Sequence, residues 1–157
     1  MIFNFTYSNF SNTFTRSSQN YITFITLIIF FIISNLKADV SNFEKGKNFY
    51  NEKKYDQAKF KFEQDIVYNP KNELSYLYLS KIFNNLDKKE LEEQNLKTVI
   101  LLNPKNEEAI YQLAKLKLNS SDYKKSKELN DKLKYFCKEF CKKSQKLKIE
   151  IENLSKK

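Results

Sequence analysis

The chain has no histidine, no tryptophan, one glycine, two prolines and two cysteines in 157 residues. Without histidine it lacks the commonest metal-binding ring and the commonest general base, which argues against most enzyme chemistries. No catalytic residue, metal site or cofactor is expected. So little glycine and proline leaves few turns for hairpins or barrels, and helix becomes the default. The length is that of one domain. Apolar residues make up 41% of the sequence, with 14 Phe and 10 Tyr among them. Each such ring is worth roughly 1.5–3 kcal/mol when fully buried, so a core is within reach.

Acidic residues are missing altogether from positions 1–38. A Ser/Asn/Thr-rich lead with Arg16 precedes a 13-residue run, Tyr21 to Ile33, that is apolar apart from threonine, and Ser34-Asn35-Leu36-Lys37-Ala38 follows. The run fits the core of a secretory signal and falls short of the roughly 20 residues that cross a bilayer comfortably. Leu36 and Ala38 stand three and one residues before a cut after Ala38. The reading is therefore a signal peptide at 1–38 and an exported protein. The alternative is an uncleaved inner-membrane anchor, although five lysines after the run (Lys37, Lys45, Lys47, Lys53, Lys54) oppose Arg16 in fixing its orientation. No cysteine lies near the run to carry a lipid.

Beyond this leader, Asn69-Pro70-Lys71-Asn72 recurs as Asn103-Pro104-Lys105-Asn106, 34 residues later. A period of that length with a turn at its end implies stacked helix pairs, since one pair cannot bury its apolar face alone. The first unit, 39–72, carries Gly46, Phe49, Tyr55, Ala58, Phe62 and Pro70, and in these it resembles the tetratricopeptide repeat (TPR). The second, 73–106, keeps Tyr76, Leu79, Ser80, Phe83, Leu96, Val99 and Pro104, with Glu92 at the small-residue position, where it is expected to splay the pair. The third, 107–140, keeps Leu113, Ala114, Tyr123, Ser126 and Leu133 but has Lys117 and Asn130 in place of aromatics, and resembles a degenerate repeat. Residues 141–157, with Leu147, Ile151 and Leu154 as one stripe, suit a capping helix. The resemblance implies an all-α, right-handed superhelical solenoid of three TPR-like pairs plus a C-terminal cap. Gly46 is expected to admit Ala58 of the partner helix, and Asp56 and Asp87 to cap second helices.

The resemblance also implies a concave groove lined by the first helix of each pair. Lys47, Lys81 and Lys115 share the ninth repeat position, and Asn51, Asn85 and Asn119 the thirteenth. Phe43, Tyr50, Leu77 and Tyr111, with Asn84 and Leu118, fall at the same depth. Three lysines and three amides in register suit a protein or peptide partner of acidic character. The plainer reading is that asparagine ends each helix and lysine covers a solvated face. The family's chaperone-binding carboxylate clamp is not met, because Phe43 and Lys47 stand where its first Lys and Asn belong.

Cys137 and Cys141 are four apart. In an unbroken helix their Cβ atoms would be about 5–6 Å apart, beyond the roughly 3.5–4.5 Å a disulfide needs. The repeat frame puts a turn between them, favouring a disulfide in an exported chain. Two buried thiols, or a redox or metal pair, are the alternatives. Their arrangement near the end of a short exported repeat chain is similar to small secreted TPR proteins of Gram-negative bacteria, a resemblance that implies a periplasmic location.

Removing Arg16 and Lys37 takes two from the net charge of +9 and leaves +7. The lysines are interleaved with acids and no arginine remains to grip phosphate, so nucleic acid is not an expected partner. Three functions follow: a non-catalytic binding scaffold of the envelope, a membrane-anchored assembly factor bracing a larger complex, or a thiol-active protein using the cysteine pair. Membrane association through the N-terminus and self-association through an open solenoid end are both compatible with the pattern.

Overall fold

The computed structural model describes Ile25 and residues 41–156; apart from Ile25, the proposed leader and its cut after Ala38 lie outside the described residues. Residues 41–156 form seven helices and no strand: α1 (Asn42–Asn51), α2 (Tyr55–Tyr68), α3 (Glu73–Asn85), α4 (Lys89–Leu102), α5 (Glu107–Asn119), α6 (Tyr123–Phe136) and α7 (Cys141–Leu154). Each helix packs on the next in sequence, and α7 also reaches α5. This is the expected all-α solenoid of three pairs with a cap.

The turn within each pair is built the same way three times. Lys53, Asp87 and Ser121, all at the fifteenth repeat position, adopt left-handed backbone with φ of 60°, 51° and 62°. The next residue's N–H then reaches back to a carbonyl near the helix end: Lys54 to Phe49, Lys88 to Phe83 and Asp122 to Lys117, each at 2.9 Å. That bond closes the last turn and satisfies carbonyls the helix leaves open. Two expected caps are corrected by this geometry. Lys54 and Lys88 occupy the cap positions of α2 and α4 without side-chain bonds. Asp56 instead lies in the first turn of α2, favourable to its dipole, and Asp87 is the left-handed residue itself. Asp122 does cap α6, accepting from Lys125 N–H at 3.1 Å.

The turns between pairs are held by carboxylates. Asp65, 1% exposed, accepts from the amides of Asn69 (3.1 Å) and Asn72 (2.7 Å) and from the Ser75 hydroxyl (2.6 Å). Glu73 accepts from the amides of Asn103 (2.7 Å) and Asn106 (3.3 Å) one period later. Glu107, at the same repeat position as Glu73, accepts from the backbone N–H groups of Lys138, Glu139 and Phe140 at 2.7–3.0 Å. Burial resists its ionisation, but these three donors outweigh that cost and hold its carboxyl below the usual range. Each of these two acids at a first-helix start thus ties down the turn that ends its own pair.

Two apolar clusters make the core. One joins Ala58, Phe62, Leu79, Ile82 and Phe83 with the rings of Phe43, Tyr50, Tyr55 and Tyr78; the other runs from Leu77 and Leu96 through Leu113 and Leu133 to Leu147 and Ile151. Phe62 stacks on Tyr78 with centroids 4.9 Å apart. A Cβ on Gly46 would stand 2.8 Å from Phe62 Cε1, so the atoms that crowd the glycine most belong to that ring, one turn along the partner helix from Ala58. The splaying expected from Glu92 is absent, and α3 and α4 pack as closely as the helices of the other pairs. Glu92 is 4% exposed, and both its carboxylate oxygens accept from Asn84 Nδ2 at 3.1 Å, which offsets part of the cost of burying it.

Candidate partner-binding groove

The first helices α1, α3 and α5 carry the residues expected to line the groove. Between them opens a cleft of about 330 Å³. Tyr50 of α1 walls one side, Ser80, Lys81, Asn84 and Asn85 of α3 form its floor, and Glu108 and Gln112 of α5 close the other; Glu92 reaches it from α4. Burial raises the Tyr50 hydroxyl above the ordinary tyrosine range, with Tyr55 adding to it and a bond to the Asn85 side chain opposing it. Burial likewise raises Glu92, against the opposing bond from Asn84. The cleft is therefore polar, partly dehydrated and supplied with hydroxyl and amide groups that can exchange hydrogen bonds with a peptide backbone.

The lysine ladder is present in register but not as a row of unpaired cations. Lys81 bridges to Glu108 at 2.9 Å, tying α3 to α5. Lys47 pairs with Glu44 on its own helix at 3.1 Å, and Lys115 with Glu150 of α7 at 3.6 Å. Only Lys81 lies in the cleft, beside two carboxylates. Sequence periodicity found the lysines but missed Glu108, because the pairing joins residues 27 apart that only stacking brings together.

The other expected groove residues divide four ways. Tyr50 and Asn85 line the cleft together with Lys81. Asn51 and Asn119 are exposed at the ends of α1 and α5, two residues before the left-handed position rather than on it. Phe43 and Tyr111 are half-buried and engaged internally, Phe43 with Phe62 and Tyr78 at 5.9 Å and Tyr111 with Phe140 at 5.6 Å. Leu77 corrects the expectation outright: it is 4% exposed and belongs to the aliphatic core, as does Leu118 at 5%. The cause is position, since α3 has a helix pair on either side and buries two faces instead of one.

At the far end, α6 stops at Phe136 and α7 starts at Cys141, leaving the helical break that a bridge requires. A disulfide joins Cys137 to Cys141, and neither sulfur is free. Among the described residues no cluster of Cys, Asp and Glu could hold a metal ion, and no helix is long and apolar enough to cross a membrane.

No family model matches the sequence, and no curated protein matches it either. Solved structures do. The chain is similar to the first TPR domain of Spaghetti (RPAP3) bound to the HSP90 peptide SRMEEVD, at 16% identity over 73% of this chain and 90% of that one, with a TM-score of 0.65. It is also similar to the Yersinia enterocolitica type III secretion chaperone SycD in complex with a peptide of the translocator YopD, at 16% identity, 74% and 92% coverage and a TM-score of 0.65. The Arabidopsis OM64 TPR domain matches at 21% identity, 68% and 91% coverage and a TM-score of 0.60. At such identities the likeness shows the fold, which is that of a TPR domain.

Proposed function

We propose that the protein is a non-catalytic scaffold that holds a segment of another protein against α1, α3 and α5, at the cleft around Lys81. The observation that carries this is a partly dehydrated cleft shared by three successive repeats, stocked with amide, hydroxyl and ammonium groups on rigid helices. Solved TPR domains of this fold hold peptides of HSP90 and of YopD. The partner segment offers a carboxylate that takes Lys81 over from Glu108, and a backbone that bonds Asn84, Asn85 and Gln112. Because Lys47 and Lys115 have their own acids, the acidic character required of the partner is local, one carboxylate rather than a charged run.

The setting we propose is the cell envelope of a Gram-negative type of cell, with residues 1–38 removed as a signal peptide. The Cys137–Cys141 disulfide and the apolar run support that reading. A photo-crosslinking residue at Asn85 should capture one discrete partner in intact cells, and the adduct should vanish with Lys81→Glu. The same group at Gln94, on a second helix, should capture none. Equal adducts from both positions would refute the groove.

A further inference from the structure

The four most exposed large apolar side chains among the described residues gather at one edge. Val67 is 77% exposed, Tyr68 76%, Leu101 80% and Tyr135 93%. Val67, Leu101 and Tyr135 share the twenty-ninth repeat position, so they recur where α2, α4 and α6 end and run into the inter-repeat turns. Singly such residues mean little; the same register in three repeats presents a row.

The charge around the row is mostly positive. Residues 67–72, 101–106 and 135–140 contain Lys71, Lys105 and Lys138 against one carboxylate, Glu139, and Lys134 stands next to the third stretch. Among the described residues, none of these four lysines lies within ion-pair distance of a carboxylate, in contrast to Lys47, Lys81 and Lys115 on the first-helix face, and only Lys138 is near enough to a held acid, Glu107, to act on it. Of the acids nearby, Asp65, Glu73 and Glu107 are occupied by the turn amides and N–H groups, Glu63 pairs with Lys59 on its own helix, and Asp131 and Glu139 are exposed. What remains is an apolar and aromatic strip whose flanking charge is in excess positive.

We infer that this edge lies on an anionic lipid surface. Val67, Leu101 and the two tyrosine rings enter the boundary between headgroups and acyl chains, while the lysines meet lipid phosphates. Tyrosine suits that depth because one end of it is apolar and the other wet. The turns are rigid enough to present the strip, being fixed by Asp65, Glu73, Glu107 and the disulfide. This edge is formed by second-helix ends and is separate from the Lys81 cleft, so the inference stands or falls independently of the groove.

The lack of tryptophan makes the test direct. In the full chain, Leu101→Trp places a single indole at a site too exposed to disturb folding, and Asn85→Trp places the control in the groove. On phosphatidylcholine vesicles containing phosphatidylglycerol, the L101W emission should shift to the blue and be quenched by bromine-labelled acyl chains. High salt, Lys71→Glu with Lys105→Glu, or pure phosphatidylcholine should abolish both effects, and N85W should show neither. An unmoved L101W spectrum on vesicles that bind the chain would overturn the inference and leave tethering to the amino-terminal run alone. A blue shift that grows with protein concentration in the absence of vesicles would also overturn it, assigning the strip to a second copy.

Discussion

At the eleventh and twenty-fourth positions of the repeat, the first unit places Phe49 and Phe62 and the third places Lys117 and Asn130. Phe62 is fully buried, stacked on Tyr78 and seated against Gly46. Asn130 is almost as buried, at 2%, but its amide donates to the Ser144 carbonyl at 3.0 Å. Lys117 reaches out to Glu93 of α4 at 2.7 Å, where Lys97 meets the same carboxylate, and together they hold the Glu93 carboxyl below its usual range. Ser126 replaces Ala58 and donates to the Ala114 carbonyl at 2.8 Å. The third repeat keeps the positions of the first and changes what fills them, from ring packing to directed polar bonds. Loss of the family's aromatics is thus not loss of the pair. It costs apolar burial, and the Glu107 clasp and the disulfide offset part of that cost.

The largest expected effect separates the two kinds of filling. Phe62→Ala should cost about 3–5 kcal/mol, and Asn130→Ala at the same register only about 1–2, read as urea midpoints at unchanged slope. Equal losses would dissolve the contrast. Removing the disulfide with Cys137→Ser and Cys141→Ser should cost about 2 kcal/mol, the chain-entropy value for so short a loop. Reductant should lower the thermal midpoint of the natural chain to that of the variant and leave the variant unmoved.

Glu107→Gln sharpens the comparison through pH. The folded carboxyl sits below its ordinary value, so its stabilising effect is complete above the unfolded pKa and is lost as pH falls through the folded one. The variant should be less stable by about 1 kcal/mol at neutral pH, and the two unfolding curves should converge in acid. A gap independent of pH would remove the charge from the explanation. Lys117→Met should be smallest, within about 1 kcal/mol, because the Lys117–Glu93 pair is only partly buried.

Much of the scaffold was legible because it is local and periodic. The Asn-Pro-Lys-Asn tetrads fix where α2 and α4 end, and the period carries the same frame on to the break between Cys137 and Cys141. What was not legible depends on neighbours a whole repeat away. Asp65 carries no signal in the sequence, and only the fold gathers Asn69, Asn72 and Ser75 around it. Leu77 reads as a groove residue until α5 is laid against α3. The lysines at the ninth position read as an unpaired ladder, although Glu44, Glu108 and Glu150 each answer one of them from a different place: the same helix, the next pair and the cap. Register shows which side chains share a face but not which acids share it with them.

In the proposed groove, Glu108 holds Lys81 at 2.9 Å until a partner's carboxylate replaces it. Once crosslinking at Asn85 has identified the segment, its affinity for the natural chain, for Lys81→Ala and for Glu108→Gln should be measured by calorimetry. Opposite signs are expected, with weaker binding for Lys81→Ala and tighter binding for Glu108→Gln, whose lysine is already unpaired. Weaker binding in Glu108→Gln would contradict this, making Glu108 a contact for the partner instead of a stand-in for it.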